Sequence, residues 1–193
     1  ESILNWYREE GFIFKGGSGA GLNISRIRSS KELLSSGGTA SGPVSFMRGA
    51  DASAGTIKSG GATRRAAKMV VLDIDHPDIV EFIETKAREE DKIRALRDAG
   101  FDMDLGGRDI SSVQYQNANN SVRVSDAFMT AVEQGKPFGL TSRTEPGKVL
   151  ETVDARELFG KIAQAAWECA DPGLQYDDTI NAWQTSPNSG RIN

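Results

Sequence analysis

The sequence predicts an α/β chain forming one domain, or part of one. Three observations carry this. Short β-leaning apolar runs alternate with longer stretches of helical periodicity, as strand–helix units around a sheet or barrel do. Cap and breaker residues stand at the joints. The 193 residues suit one core, with no internal repeat, low-complexity tract or linker dividing them. Architectures of this kind carry their active groups in the strand-to-helix loops.

The elements follow in order. Ile3, Leu4, Trp6 and Tyr7 recur at near-helical spacing up to Gly11, and Phe12-Ile13-Phe14 reads as a short buried strand before the glycines of 16–21. A second strand covers Leu22 to Ile27. Ser41-Gly42-Pro43 opens a helix through Phe46 and Met47 toward Ile57. Met69-Val70-Val71-Leu72 is a strand, and Asp75-His76-Pro77 opens a helix with Ile79, Phe82 and Ile83 on one face, followed by a charged, solvated helical stretch from Glu84 to Arg97. Val113 to Gln116 and Ser121 to Val124 alternate as half-buried strands do. Ser125 caps a helix through Phe128, Met129 and Val132, Phe138 to Thr141 returns as strand, and Asp154 caps a last long helix carrying Leu158, Ile162, Ala166 and Trp167.

Charge is uneven. Between Gly11 and Leu72 nine cations face two acids, Glu32 and Asp51, a net +7; with a total of −4 the rest of the chain carries −11. A polyanion would meet its complement only in this glycine-rich third, although a basic face that merely solubilises the protein has the same composition. No run approaches the roughly 20 apolar residues that span a bilayer, and the first residues lack a basic start or a signal-type apolar block, so a cytoplasmic location is expected. Neither end resembles a natural terminus, and the chain reads as a fragment. The single cysteine, Cys169, cannot form an internal disulfide.

Several motifs bear on chemistry. Gly16-Gly17-Ser18-Gly19-Ala20-Gly21 lets backbone approach a ligand closely and aim N–H groups at an anion, while a tight turn accounts for the same residues. Leu22 stands where a dinucleotide fingerprint needs its third glycine, and no Gly-Lys-Ser/Thr follows. From Lys58 to Lys68 four cations surround two glycines, suited to one anionic ligand or to a basic surface loop. Asn117, Asn119 and Asn120 offer amides that both donate and accept, for a ribose, base or cofactor amide, or form an Asn-rich turn. His76 before Pro77 suits helix entry rather than catalysis. Asp73, Asp75 and Asp78 lack the glycine and final glutamate of a calcium loop. Cys169, with no second histidine or cysteine to activate it, reads as a packed side chain.

The order of motifs says more than any one of them. GGSGAGLNISRIR (16–28), GGTASGPVSFMR (37–48), SGGATRRAAKM (59–69), DHPDI (75–79), QNANNSVRVSD (116–126) and DPGLQYDDTIN (171–181) resemble the large catalytic chain of ribonucleotide reductases, most closely the adenosylcobalamin-dependent class, over essentially the whole sequence. The resemblance implies part of a ten-stranded α/β barrel that converts ribonucleotides to deoxyribonucleotides by thiyl-radical chemistry. It implies that Ser18 and Gly19 line the substrate site and that Arg28 grips effector phosphate. It places Lys58, Gly60, Gly61, Thr63, Arg64 and Arg65 in the loop that relays effector identity to the substrate site, and leaves Asn117, Asn119 and Asn120 as nucleotide or cofactor contacts.

The resemblance further implies adenosylcobalamin as cofactor, a ribonucleotide substrate, a deoxynucleotide effector, a thiol reductant such as a thioredoxin-like protein, and a homodimer when full length, without a membrane. No metal ligand and no catalytic residue match here: the radical cysteine, between Asn and Glu, is expected just beyond Asn193 and the first redox cysteine before Glu1, so the isolated piece is expected to be inert. Ala62 and Ser186 depart from the family, the former where a basic residue is frequent, the latter where many relatives have cysteine. A metal-radical class I large chain and a nucleotide-binding regulatory module without catalysis are the alternative readings.

Overall fold

The computed structural model describes residues 2–57, 67–104 and 106–193. The basic loop expected from Lys58 lies outside them. Helix α1 spans Ser2–Lys15, strand β1 Gly19–Asn23, α2 Gly42–Thr56, β2 Ala67–Asp73, α3 Ile79–Asp98, β3 Asn119–Val124, α4 Asp126–Gln134, β4 Pro137–Thr141, β5 Val149–Asp154, α5 Ala155–Cys169, β6 Gly173–Tyr176 and α6 Asp177–Trp183. Strands β1-β2-β3-β6 form a parallel sheet in that order, and β4 and β5 form an antiparallel hairpin. The α/β class and its parallel sheet are as the alternating pattern predicts.

The core lies on one face of the sheet. Val70, Leu72, Val122 and Val124 meet Ile79, Phe82 and Ile83 of α3 and Leu158, Ile162 and Ala165 of α5, all buried in one cluster. The i, i+3, i+4 spacing on α3 turns its first half onto the sheet. Each such side chain removed from water contributes roughly 1.5–3 kcal/mol. Ser125 and Asp154 accept from the N–H groups of Phe128 and Glu157, at 3.2 and 2.9 Å, and thereby cap α4 and α5.

β1 and β2 start level, Gly19 against Ala67, but register displaces β3 and β6 from their neighbours. Met69, the third residue of β2, pairs with Asn119, the first of β3; Ser121, the third of β3, pairs with Gly173, the first of β6. A cumulative stagger of this kind accompanies the strand tilt of a barrel. Among the described residues the sheet is open, with β1 and β6 at its edges.

Three local expectations fail, and one open choice, between cradle and turn at Gly16 to Ser18, is decided for the turn. Phe12-Ile13-Phe14 is the last turn of α1, because Phe14 falls one turn after Glu10 on the buried side while Phe12 and Ile13 stay exposed; a three-residue apolar run does not distinguish strand from helix. The N–H groups of Gly16, Gly17 and Ser18 do not form an open cradle, since they donate to the carbonyls of Phe12, Phe14 and Ile13 at 3.0, 2.9 and 3.1 Å. Gly17, at φ +78°, supplies the left-handed residue of this helix stop, and β1 starts at Gly19 rather than Leu22. Val113 to Gln116 forms no strand: Val113 packs with Ile93 and Met103, and Tyr115 has φ +58° with its hydroxyl donating to the Val44 carbonyl at 3.3 Å.

Candidate functional site

Side chains alternate across a strand, so register sorts the sheet residues onto two faces. Opposite the face of Val70 and Leu72 stand Gly19, Gly21 and Asn23 of β1, Ala67, Met69, Val71 and Asp73 of β2, Asn119, Ser121 and Arg123 of β3, and Gly173 and Gln175 of β6. A parallel sheet covered by helices on both sides carries aliphatic residues on both. Apart from Met69 and Val71 at the centre of β2, this second face carries small or polar side chains, suited to water or a ligand rather than to another helix.

At the carboxyl ends of the strands this face runs into a cleft of about 390 Å³, lined among others by Asn23, Asp73, Asp75, Arg123, Thr141 and Asn193. The carboxyl edge is where open α/β sheets bind ligands, because the loops leaving the strands converge there. One wall is the β4–β5 hairpin, through Phe138, Gly139 and Thr141. The hairpin is tied down firmly: Thr141 N–H donates to the Asp75 carbonyl at 2.8 Å and its hydroxyl to the Asp75 carboxylate at 2.6 Å. Arg143 embraces the same carboxylate with two nitrogens at 2.6 and 3.2 Å, and its Nε reaches the Ser25 carbonyl at 2.8 Å. Burial pushes the Asp75 carboxyl up, but the hydrogen bonds from Arg143 and Thr141 and the guanidinium charge outweigh it and hold the group below its ordinary value.

Glu32 ties the loop after β1 to the same hairpin. Its carboxylate accepts from Ser29 N–H at 2.9 Å, Ser142 hydroxyl at 2.5 Å, Arg143 N–H at 3.0 Å, and Thr144 N–H and hydroxyl at 3.1 and 2.8 Å. Against the opposing effect of burial, these bonds bring its pKa down to about 2. Across the cleft floor Asn23 donates to Asp73 at 2.9 Å, and Arg123 donates to Asp177 at 2.7 Å and to Gln175 at 3.1 Å. Asp177 is raised by burial and lowered further by Arg123 and Arg191, with a net depression. Three carboxylates, Asp73, Asp75 and Asp177, face two guanidinium groups, Arg123 and Arg191, so the cleft suits a hydroxyl- or amide-bearing ligand better than a polyphosphate.

The residues singled out from sequence are dispersed. Ser18 and Gly19 are exposed at the amino end of β1, opposite the cleft; a Cβ on Gly19 would meet the Ala67 carbonyl oxygen at 3.0 Å, so the close approach there is to β2. Arg28 lies on the loop after β1, its Nη1 donating to the Leu33 carbonyl at 3.1 Å. Asn117 is committed to Asp51, through its N–H at 3.0 Å and its amide at 3.1 Å. Asn120 is buried and donates its N–H to Asp171 at 3.2 Å, whereas Asn119 is exposed on the polar face. Lys58, Gly60, Gly61, Thr63, Arg64 and Arg65 lie outside the described residues.

His76 is fully buried, Nδ1 accepting from Asp78 N–H at 3.0 Å and Nε2 facing the Ile27 carbonyl at 2.9 Å, and burial pushes its pKa down. It stitches the loop into α3, in keeping with a helix-entry role. Cys169 donates to the Ala165 and Asp171 carbonyls at 3.3 and 3.4 Å, and burial raises its thiol. Among the described residues no group of three or more His, Cys, Asp or Glu side chains is placed to hold a metal ion, and no helix is long and apolar enough to cross a membrane. Sequence reading overlooked Asn23, Glu32, Arg123, Arg143 and Asp177. The signal for Arg123 was present: Asn119, Ser121 and Arg123 alternate with Val122 and Val124, which marks a polar face on an interior strand.

Comparison with known proteins adds a second line of evidence. A family model described as the barrel domain of ribonucleotide reductase matches residues 1–193. The chain is similar to a protein of Streptomyces avermitilis named vitamin B12-dependent ribonucleotide reductase, with 81% identity over all of this chain and 20% of that protein. A protein of the same name from Rhodopirellula baltica is 51% identical over all of this chain and 19% of its own length. A vitamin B12-dependent ribonucleoside-diphosphate reductase of Mycobacterium tuberculosis is 39% identical over all of this chain and 24% of its own length. The chain thus spans about a fifth of the length of the curated relatives it matches.

Proposed function

Since the chain belongs to the ribonucleotide reductase barrel-domain family, we propose that it is part of the catalytic barrel of an adenosylcobalamin-dependent ribonucleotide reductase that makes deoxyribonucleotides by thiyl-radical chemistry. The observation that carries this reading is the 81% identity, over the full chain, to a protein named for that activity. The geometry supports it in one place and the charge distribution along the sequence in another. The cleft, with Asn23, Asp73 and Asn193 on its walls, suits the sugar of a nucleotide. The basic, glycine-rich third suits phosphate.

In this reading Ser18 and Gly19 belong to the substrate site, Arg28 holds effector phosphate, and Lys58, Gly60, Gly61, Thr63, Arg64 and Arg65 relay effector identity to the substrate. Asn119 is the asparagine of its cluster best placed to meet a ligand. The radical cysteine follows shortly after Asn193, a thioredoxin-like protein supplies reducing equivalents, and the full-length enzyme works as a cytoplasmic homodimer. The described residues alone do not form a seat for cobalamin: the cleft, about 390 Å³, is small where a corrin ring needs a broad platform, and both ring nitrogens of His76 are engaged. No step is therefore assigned to the cofactor within this chain.

The test uses the full-length protein with adenosylcobalamin, a dithiol, each ribonucleotide and each deoxynucleotide effector. Deoxyribonucleotide formation is expected, with base preference set by the effector. Replacing Arg64 and Arg65 by Ala is expected to blur that preference while changing effector affinity less, since coupling is a free energy separate from either binding step. Nucleotide binding without reduction would favour a regulatory module instead.

A further inference from the structure

Residues 190–193 have neither helical nor strand structure, yet side chains hold the main chain at Gly190 and Ile192. The Ile192 carbonyl accepts from Arg123 Nη2 at 2.6 Å and from Asn181 Nδ2 at 3.0 Å, and Ile192 N–H donates to Asn181 Oδ1 at 2.9 Å. One asparagine amide therefore satisfies both peptide groups of Ile192. Asp177 receives Arg123 on one oxygen and Arg191 on the other. Gln184 holds the Gly190 carbonyl at 3.0 Å. The next residue, Asn193, lines the cleft.

Arg123 makes this arrangement informative. It sits on an interior strand with 4% of its surface exposed, and burying a guanidinium is costly unless its donors are matched. Two of its partners, Gln175 and Asp177, come from β6 and the start of α6; the third is a main-chain carbonyl in an irregular segment. Side chains rather than a backbone ladder decide where Arg191–Asn193 runs.

We propose that Arg123, Asp177 and Asn181 form a clamp that positions the main chain of Arg191–Asn193 at the mouth of the cleft and thereby the residues that follow it. The clamp rests on the geometry above; its consequence for turnover rests on the reading that the radical-bearing loop comes next. These are positioning residues, acting through the chain they hold.

The test compares the full-length protein with its Asn181→Ala and Arg123→Lys variants. Asn181 lies toward the surface of α6, so its loss leaves the core intact; lysine keeps a charge for Asp177 but cannot span three acceptors. Hydrogen exchange at residues 190–193 is expected to accelerate in both variants while β3 and α3 stay protected. The kcat is expected to fall on the order of 10- to 100-fold, as a displaced reacting group does, with the KM for ribonucleotide within about twofold. Unchanged exchange at 190–193 in both variants overturns the clamp. Faster exchange with unaltered kcat overturns its role in turnover. A parent protein that reduces no ribonucleotide would instead sink the functional reading, and exchange would still decide the clamp.

Discussion

At the carboxyl end of the sheet Glu32 alone accepts five hydrogen bonds, and Asp75 and Arg143 interlock beside it, whereas at the amino end Gly19, Asn119 and Gly173 begin their strands exposed and with short side chains. The first end is organised before any ligand arrives, since its dipoles and charges already point at one another across three loops. Such an arrangement suits a reaction, where reorganisation raises the barrier. The second end leaves backbone open to whatever lies against it, and suits a region that must accept different ligands.

Removing the hub should separate the two ends most. Glu32→Ala strands five donors and is expected to destabilise the protein by about 3 kcal/mol, read as a lower unfolding transition of the full-length protein. An unchanged transition would mean that the carboxyl end is not held as described. Its pH dependence sharpens the point. A carboxyl depressed from 4.5 to about 2 stabilises the fold fully above its ordinary value and loses that stabilisation as pH falls through this window. Thermal unfolding followed from pH 5 to 2 should therefore fall more steeply in the parent than in Glu32→Gln, which has no carboxyl to protonate.

Arg143→Lys is the intermediate case. It exchanges a two-pronged grip on Asp75 for a point charge, at an expected loss of about 1–2 kcal/mol, and it should let the Asp75 carboxyl rise toward its ordinary value. Chemical-shift titration of that carboxyl, together with denaturant unfolding, checks both. The smallest effects belong to the amino end. Gly19→Ala pushes a methyl group to 3.0 Å from the Ala67 carbonyl oxygen and is expected to cost about 1 kcal/mol, while Gly21→Ala meets only Met69 Cβ at 3.9 Å and should stay within about 0.5 kcal/mol. If a nucleotide passes over this end, Gly21→Ala should raise KM with stability untouched; an unaltered KM would leave the end without a ligand.

Much of the fold was legible from local chemistry. Caps at Ser125 and Asp154 and the apolar spacing of α3 need only a few neighbouring residues, and each stands where the sequence puts it. The β4–β5 hairpin was half legible: Phe138 to Thr141 reads as strand, but Val149 to Asp154 is half-exposed and mixed in charge, so its pattern does not announce it. The site was less legible for a related reason. Glycine-rich and Asn-rich motifs are visible along the chain, whereas Glu32 and Ser142, or Arg123 and Ile192, are far apart in sequence and show no local signature.

Taken alone, the sequence determined the α/β class, the helix caps, the uneven charge and, through the order of its motifs, the resemblance to one enzyme family. These depend on neighbours within a turn or a strand, or on the linear order of residues. Only the tertiary structure decided that Gly16 to Ser18 spend their N–H groups on stopping a helix, that the polar residues of β1, β2, β3 and β6 share one face, and that the charged network closes at the carboxyl end of the sheet. Each of these rests on register and on loop packing between distant segments, where one partner has no meaning until the fold delivers the other.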